Sequence, residues 1–147
     1  MTGTLTPVDA LQDALAAEHA AVHLVAFLSA RVPASSHPEL AARLRTAYVA
    51  HRGRRDQLVR MLRDRGAEPV AAFPTYDDPL ELTTPPALAA RARTLEEDCC
   101  AVYATAVGAT WGAARQWALQ ALLESAGAAI ALGAPPRTWP GLPERLA

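Results

Sequence analysis

Residues 11–25 read Leu11-Gln12-Asp13-Ala14-Leu15-Ala16-Ala17-Glu18-His19-Ala20-Ala21-Val22-His23-Leu24-Val25, and they decide the fold. Leu11, Leu15, Glu18, Val22 and Val25 recur at intervals of three and four, the period of one helical face. Glu18 stands in the middle of that apolar stripe, where a charge belongs only with a partner. A second stripe answers it: Leu44, Tyr48, His51, Arg55, Leu58 and Leu62. The two patterns together describe a helical bundle with polar groups inside.

Composition agrees. The chain has 147 residues, enough for one domain with a real core, and a single domain over 1–147 is expected. Alanine occurs 34 times, Lys and Asn are absent, and Ile occurs once, a pattern that codon bias in a GC-rich genome also produces. Alanine favours helix, and no segment alternates with period two, so the fold class is all-α. Fourteen arginines against fifteen acidic residues leave a net charge of −1, which gives no global field for nucleic acid or membrane. The local exception is His51-Arg52-Gly53-Arg54-Arg55 with Arg60, Arg63 and Arg65, a basic helix face that Asp56 and Asp64 interrupt. No signal-peptide pattern and no membrane-length apolar run occur, so a cytoplasmic protein is expected. Cys99 and Cys100 are adjacent and match no zinc spacing. Cys99 lies on an apolar stripe and reads as a small core residue.

Punctuation divides the chain into four helices at about 7–31, 37–65, 85–110 and 112–133, followed by an extended Pro-rich tail over 134–147. Thr6 caps the first helix, Ser36-His37-Pro38-Glu39 reads as a capping box for the second, and Thr84-Pro85-Pro86 opens the third. A break at Trp111-Gly112 precedes the fourth, and Trp139 and Leu142 are expected to pin the tail. Short links join helices one to two and three to four, so each pair is an antiparallel hairpin. The Pro-containing link over 67–84 is long enough, at roughly 3.3 Å per residue, to run the length of a bundle. Two hairpins joined by a long crossover between helices two and three form the ferritin-like arrangement.

The interior polar residues set the functional question. Helix three places Leu88, Ala92, Glu96, Cys99, Tyr103 and Ala106 on one stripe, so Glu96 joins Glu18 and His51. Helix four carries two apolar stripes, one with Trp117, Ala121, Glu124 and Ala128, the other with Leu119, Leu122, Ala126 and Ile130. A dinuclear carboxylate site asks for one Glu from each of two helices and Glu-x-x-His from each of the others. Glu18 and Glu96 serve as the single glutamates, but helix two offers Tyr48-x-x-His51 and helix four Glu124-x-x-Gly127, so both paired motifs are broken. Arg55, one turn beyond His51, is placed to bridge Glu18 and Glu96 with its guanidinium. Tyr48 and Tyr103 are expected inside, with hydroxyls reaching the cluster. His19 and His23 share another face and are assigned to solvent or a subunit contact, and His37 to the cap of helix two.

These residues resemble a family of alanine-rich actinobacterial proteins, a ferritin-like domain of unknown function related to the rubrerythrin-type bundle. The resemblance lies in Leu11 to His23, in His51-Arg52-Gly53-Arg54-Arg55-Asp56-Gln57-Leu58, in Gly66-Ala67-Glu68-Pro69 and in Leu95-Glu96. It extends to Gly133-Ala134-Pro135-Pro136 and Pro140-Gly141-Leu142-Pro143, and so covers nearly the whole chain. It implies the bundle and an undefined activity. Ferritin-like oxidases carry two Glu-x-x-His motifs, from which this chain departs at Tyr48 and Gly127.

The expectation is therefore a non-enzymatic bundle whose interior holds Glu18, His51, Arg55 and Glu96 as a buried polar network, with no cofactor. The alternative is a metal-storage protein or metal-dependent oxidoreductase with Glu18, His51, Glu96 and Glu124 around iron or manganese. A third reading is a helical binding module that grips a phosphorylated or RNA partner with the arginines of helix two. Exposed apolar surface with Trp111 and Trp117 suggests a homodimer.

Overall fold

A computed structural model of the chain describes residues 5–142. Four helices carry the fold: α1 (Pro7–Arg31), α2 (Pro38–Arg63), α3 (Pro85–Ala109) and α4 (Gly112–Ala131). No strand occurs among the described residues. Expectations for residues 143–147, the end of the extended tail, lie outside that range.

Local chemistry explains the helix ends. The Thr6 hydroxyl accepts from the Asp9 amide while the Asp9 carboxylate accepts from the Thr6 amide, closing a capping box ahead of Pro7. Thr84 caps α3 by a single bond, its hydroxyl accepting from the Ala87 amide. The expected box at α2 does not form. His37 is the N-cap and makes no side-chain cap, because Ser36 turns its hydroxyl to the Pro33 carbonyl and to His37 Nδ1. α2 stops at Arg63 and α4 at Ala131, two residues short of the expected ends, as Gly66 and Gly133 take positive φ and the last turns close on themselves.

Two apolar layers sandwich a polar one. Leu24, Leu28, Leu44 and Leu88 anchor the larger cluster at the end where α1 stops, and Leu11, Leu15, Leu58 and Leu62 anchor the other. Each such leucine, fully buried, stabilises by roughly 1.5–3 kcal/mol. Ala10 meets Ala106 near the start of α1, whereas Leu88 sits with Leu28, so α3 runs antiparallel to α1. The α1–α2, α3–α4 and α1–α3 faces are closely packed, while α2 and α4 meet more loosely.

The 64–84 connection explains that order. Gln12 donates to the Glu68 carbonyl and accepts from the Val70 amide, His19 Nε2 lies 3.0 Å from the Val70 carbonyl, and His23 Nε2 lies 2.7 Å from Asp78. Ascending positions on α1 thus meet ascending positions of the connection, which runs along the outside of α1 from its start toward its end. His19 and His23 are corrected accordingly: both are half-buried tethers, and His23 also stacks on Tyr76 with ring centres 5.0 Å apart.

Neither expected stripe of α4 is its buried face. Ala114, Ala118, Ala121, Leu122, Ser125 and Ala129 face inward, between the two stripes. Beyond α4, Pro140 and Gly141 bring the tail back onto α3. Gly141 has φ +77°, and a Cβ there would come within 2.3 Å of the Cys100 carbonyl oxygen. Gly141, rather than Trp139, which is half-exposed, is the point of close contact.

Candidate functional site

The polar layer is built one residue per turn. Glu18 from α1, His51 and Arg54 from α2, Glu96 and Tyr103 from α3 and Ser125 from α4 are all buried. His51 Nδ1 lies 2.8 Å from Glu18 Oε2, and its Nε2 lies 3.3 Å from Glu96 Oε1. Both ring nitrogens face carboxylate oxygens, so both must donate, and the ring is an imidazolium. Burial opposes that charge most strongly, but the hydrogen bonds and charges of Glu18 and Glu96 together outweigh it and raise the His51 pKa to about 9. Tyr103 donates its hydroxyl to Glu18 Oε1.

Arg54 supplies the second cation. Its Nη1 donates to Ser125 Oγ at 3.1 Å and to the Tyr103 oxygen at 3.4 Å, and its Nη2 donates to Glu124 Oε2 at 3.0 Å. The guanidinium also lies 5.5 Å from the centre of the Tyr103 ring. Burial acts against its charge, yet the Tyr103 oxygen, the Glu18 carboxylate and the Glu124 bond hold it protonated. The buried imidazolium thus bridges the two buried carboxylates, while the Arg54 cation pairs with the half-exposed Glu124.

Expectation and structure part at Arg55. It is half-buried and folds back on Asp56, with Nε and Nη2 at 2.9 and 2.8 Å from Oδ1. Arg54 takes the interior place because it lies on the flank of α2 turned to α4, within reach of Ser125 and Glu124, and with Ala50, Gly53 and Ala121 it lines a cleft of about 170 Å³. Ser125 was missed for a related reason: it falls between the two apolar stripes of α4, on the face that is buried. Tyr103 reaches the cluster as expected, whereas Tyr48 stays half-buried with Arg52 over its ring at 5.6 Å. Trp117 turns into the bundle, donating to Gln57 at 2.8 Å and meeting Tyr103 edge-on. Cys99 is buried, and burial followed by the charges of Glu18 and Glu96 pushes its thiol well up, so it packs rather than reacts.

The four expected metal ligands do not converge. Glu124 is half-exposed and its carboxylate is committed to Arg54; burial pushes its pKa up, but the hydrogen bonds from Arg54 and Gln120 outweigh that and leave it lowered. Glu18 Oε1 and Oε2, His51 Nδ1 and Nε2, and Glu96 Oε1 are all engaged, and Glu96 Oε2 is the donor atom left over. The Arg54 guanidinium lies close to that donor set. Among the described residues no group of three or more His, Cys, Asp and Glu side chains is disposed to hold one. The basic run of α2 is also divided, Arg54 turning inward and Arg55 to Asp56.

The profile of a family described as "Domain of unknown function (DUF4439)" matches residues 10–144. The chain belongs to this family. A crystal structure of a conserved hypothetical protein from Mycobacterium tuberculosis is similar to this DUF4439 chain, with 32% identity and a TM-score of 0.76 over 84% of this chain and 91% of that one. No curated protein matches the chain. No helix among the described residues is long and apolar enough to cross a membrane.

Proposed function

We propose that this DUF4439 chain is a ferritin-like bundle without a catalytic metal, in which Glu18, His51, Arg54 and Glu96 replace the metal centre with a buried charge network. One observation carries the reading: a single imidazolium spans two carboxylates from different helices. Metal ligands would instead turn their lone pairs toward one shared point. The path of the 64–84 connection along α1 supports the ferritin-like arrangement of two hairpins joined by a crossover. In this reading the network ties α1, α2 and α3 together at mid-height and the protein acts through its surface, as a cytoplasmic homodimer. Metal analysis of protein produced with iron and manganese supplied tests it. Sub-stoichiometric metal and a thermal melt indifferent to chelator are expected. Stoichiometric iron or manganese that disappears in His51→Ala would overturn it.

A further inference from the structure

The cleft of about 170 Å³ between α2 and α4 is lined in part by Ala50, Gly53 and Ala121, and a Cβ added at Gly53 would meet nothing within 4 Å. Arg54 and Glu124 are the charged residues of its lining, and they are bonded to each other at 3.0 Å. Arg54 is 6% exposed, yet Nε of its guanidinium has no hydrogen-bond partner. A buried donor left unpaired is costly and rare. Glu124 reaches Nη2 through Oε2 alone, because its Oε1 accepts from Gln120. The strong form of an arginine–carboxylate pair is a fork of two parallel bonds. Arg54 and Glu124 make half of one. Glu124 is also the loosest partner of Arg54, with a side chain 49% exposed, whereas Tyr103 and Ser125 are fully buried.

We propose that this cleft binds a small organic monocarboxylate, which takes Nε and Nη2 of Arg54 as a fork while Glu124 swings out to water. The exchange sets one carboxylate in place of another at the guanidinium, so the buried cation stays paired. Glu124 returns to a solvent it already half meets. Gln57 adds a further donor: its Oε1 accepts from Trp117 Nε1 at 2.8 Å, which leaves its amide NH2 without a partner. Val49, Ala121 and the Trp117 ring supply apolar wall for the body of the ligand. A cavity of about 150 Å³ accepts benzene, so this one has room for a single ring or a short branched chain. One guanidinium balances one negative charge, and the lining holds no second cation for a phosphate or a dicarboxylate.

Titration of the full chain with benzoate, followed by NMR, tests the site. The indole N–H signal of Trp117 should move and saturate, while those of Trp111 and Trp139 stay in place. Benzyl alcohol, which keeps the ring and lacks the carboxylate, should bind more weakly by about tenfold or more at equal ionic strength. Glu124→Gln removes the internal competitor and should tighten benzoate by about threefold or more. Gly53→Leu fills the cleft, replaces a poor helix former with a good one, and should weaken benzoate by about tenfold or more. Should Glu124→Gln lose its helical circular dichroism, Gly53→Leu, which removes no side-chain hydrogen bond, decides alone. A Trp117 signal that benzoate leaves unmoved overturns the site, as does a folded Gly53→Leu that binds like wild type. Benzyl alcohol binding as tightly as benzoate, or a folded Glu124→Gln binding benzoate more weakly than wild type, overturns the exchange at Arg54. The reading of the network as a replacement for a metal centre fails on different grounds, stoichiometric metal, and stands or falls apart from this cleft.

Discussion

Arg54 and Arg55 are neighbours in the chain with opposite destinations: Arg54 is 6% exposed and bonded to Ser125 and Glu124, while Arg55 pairs with Asp56 at the surface. Consecutive residues of a helix point about 100° apart. One therefore enters the α2–α4 cleft and the other leaves it.

That contrast sets the first prediction. Arg54→Ala removes a buried cation close to Glu18 and leaves Ser125, Tyr103 and Glu124 without its hydrogen bonds, so it should destabilise by about 3–5 kcal/mol. Arg55→Ala breaks a pair that is largely solvated and should stay within about 0.5 kcal/mol of wild type. Urea unfolding of both variants checks this. Equal effects would contradict the assignment of Arg54 to the interior.

His51 makes stability depend on pH. Its folded pKa of about 9 lies above the ordinary value of 6.5, so the folded state binds the proton more tightly than the unfolded chain. The stabilisation is complete below about pH 6.5 and is lost as pH rises through about 9, a change of ~3 kcal/mol. Unfolding free energies at either end of that window should differ by an amount of this order in wild type. In His51→Gln the difference should shrink to what the remaining groups contribute.

Tyr103→Phe removes one hydroxyl that donates to Glu18 and accepts from Arg54. Both partners stay buried, and an unsatisfied buried group costs about 1–3 kcal/mol. A chemical melt of the variant should show a loss in that range, with helical content retained. A neutral result would mean that the hydroxyl is not part of the network.

Gly141→Ala places a methyl against the Cys100 carbonyl at a positive φ. The tail must lift, at a cost on the order of 1–3 kcal/mol if it stays docked. Limited proteolysis should cut the variant after Gly133 faster than wild type, and the bundle helices should remain protected.

Much of the fold was legible because its signals are local. Thr6, Thr84 and Pro85 mark helix starts by chemistry that acts within one turn, and the three-four spacing of Leu11, Leu15 and Glu18 needs no partner to be read. Glu18, His51 and Glu96 were legible for the same reason: a charge on an apolar stripe is anomalous wherever it occurs. α4 was not, because alanines and leucines surround it and no polar face tells inside from outside.

Sequence by itself therefore determined four helices, their pairing into hairpins, and three ionisable side chains directed into the bundle. The tertiary structure alone decided which arginine completes the charge balance, that Ser125 joins it, and that His19 and His23 hold the connection. Helical periodicity states the direction of a side chain to within part of a turn. How far that side chain travels inward depends on what the neighbouring helix offers it, and at Arg54 that is the Ser125 hydroxyl and the Glu124 carboxylate of α4. No single stripe contains that information.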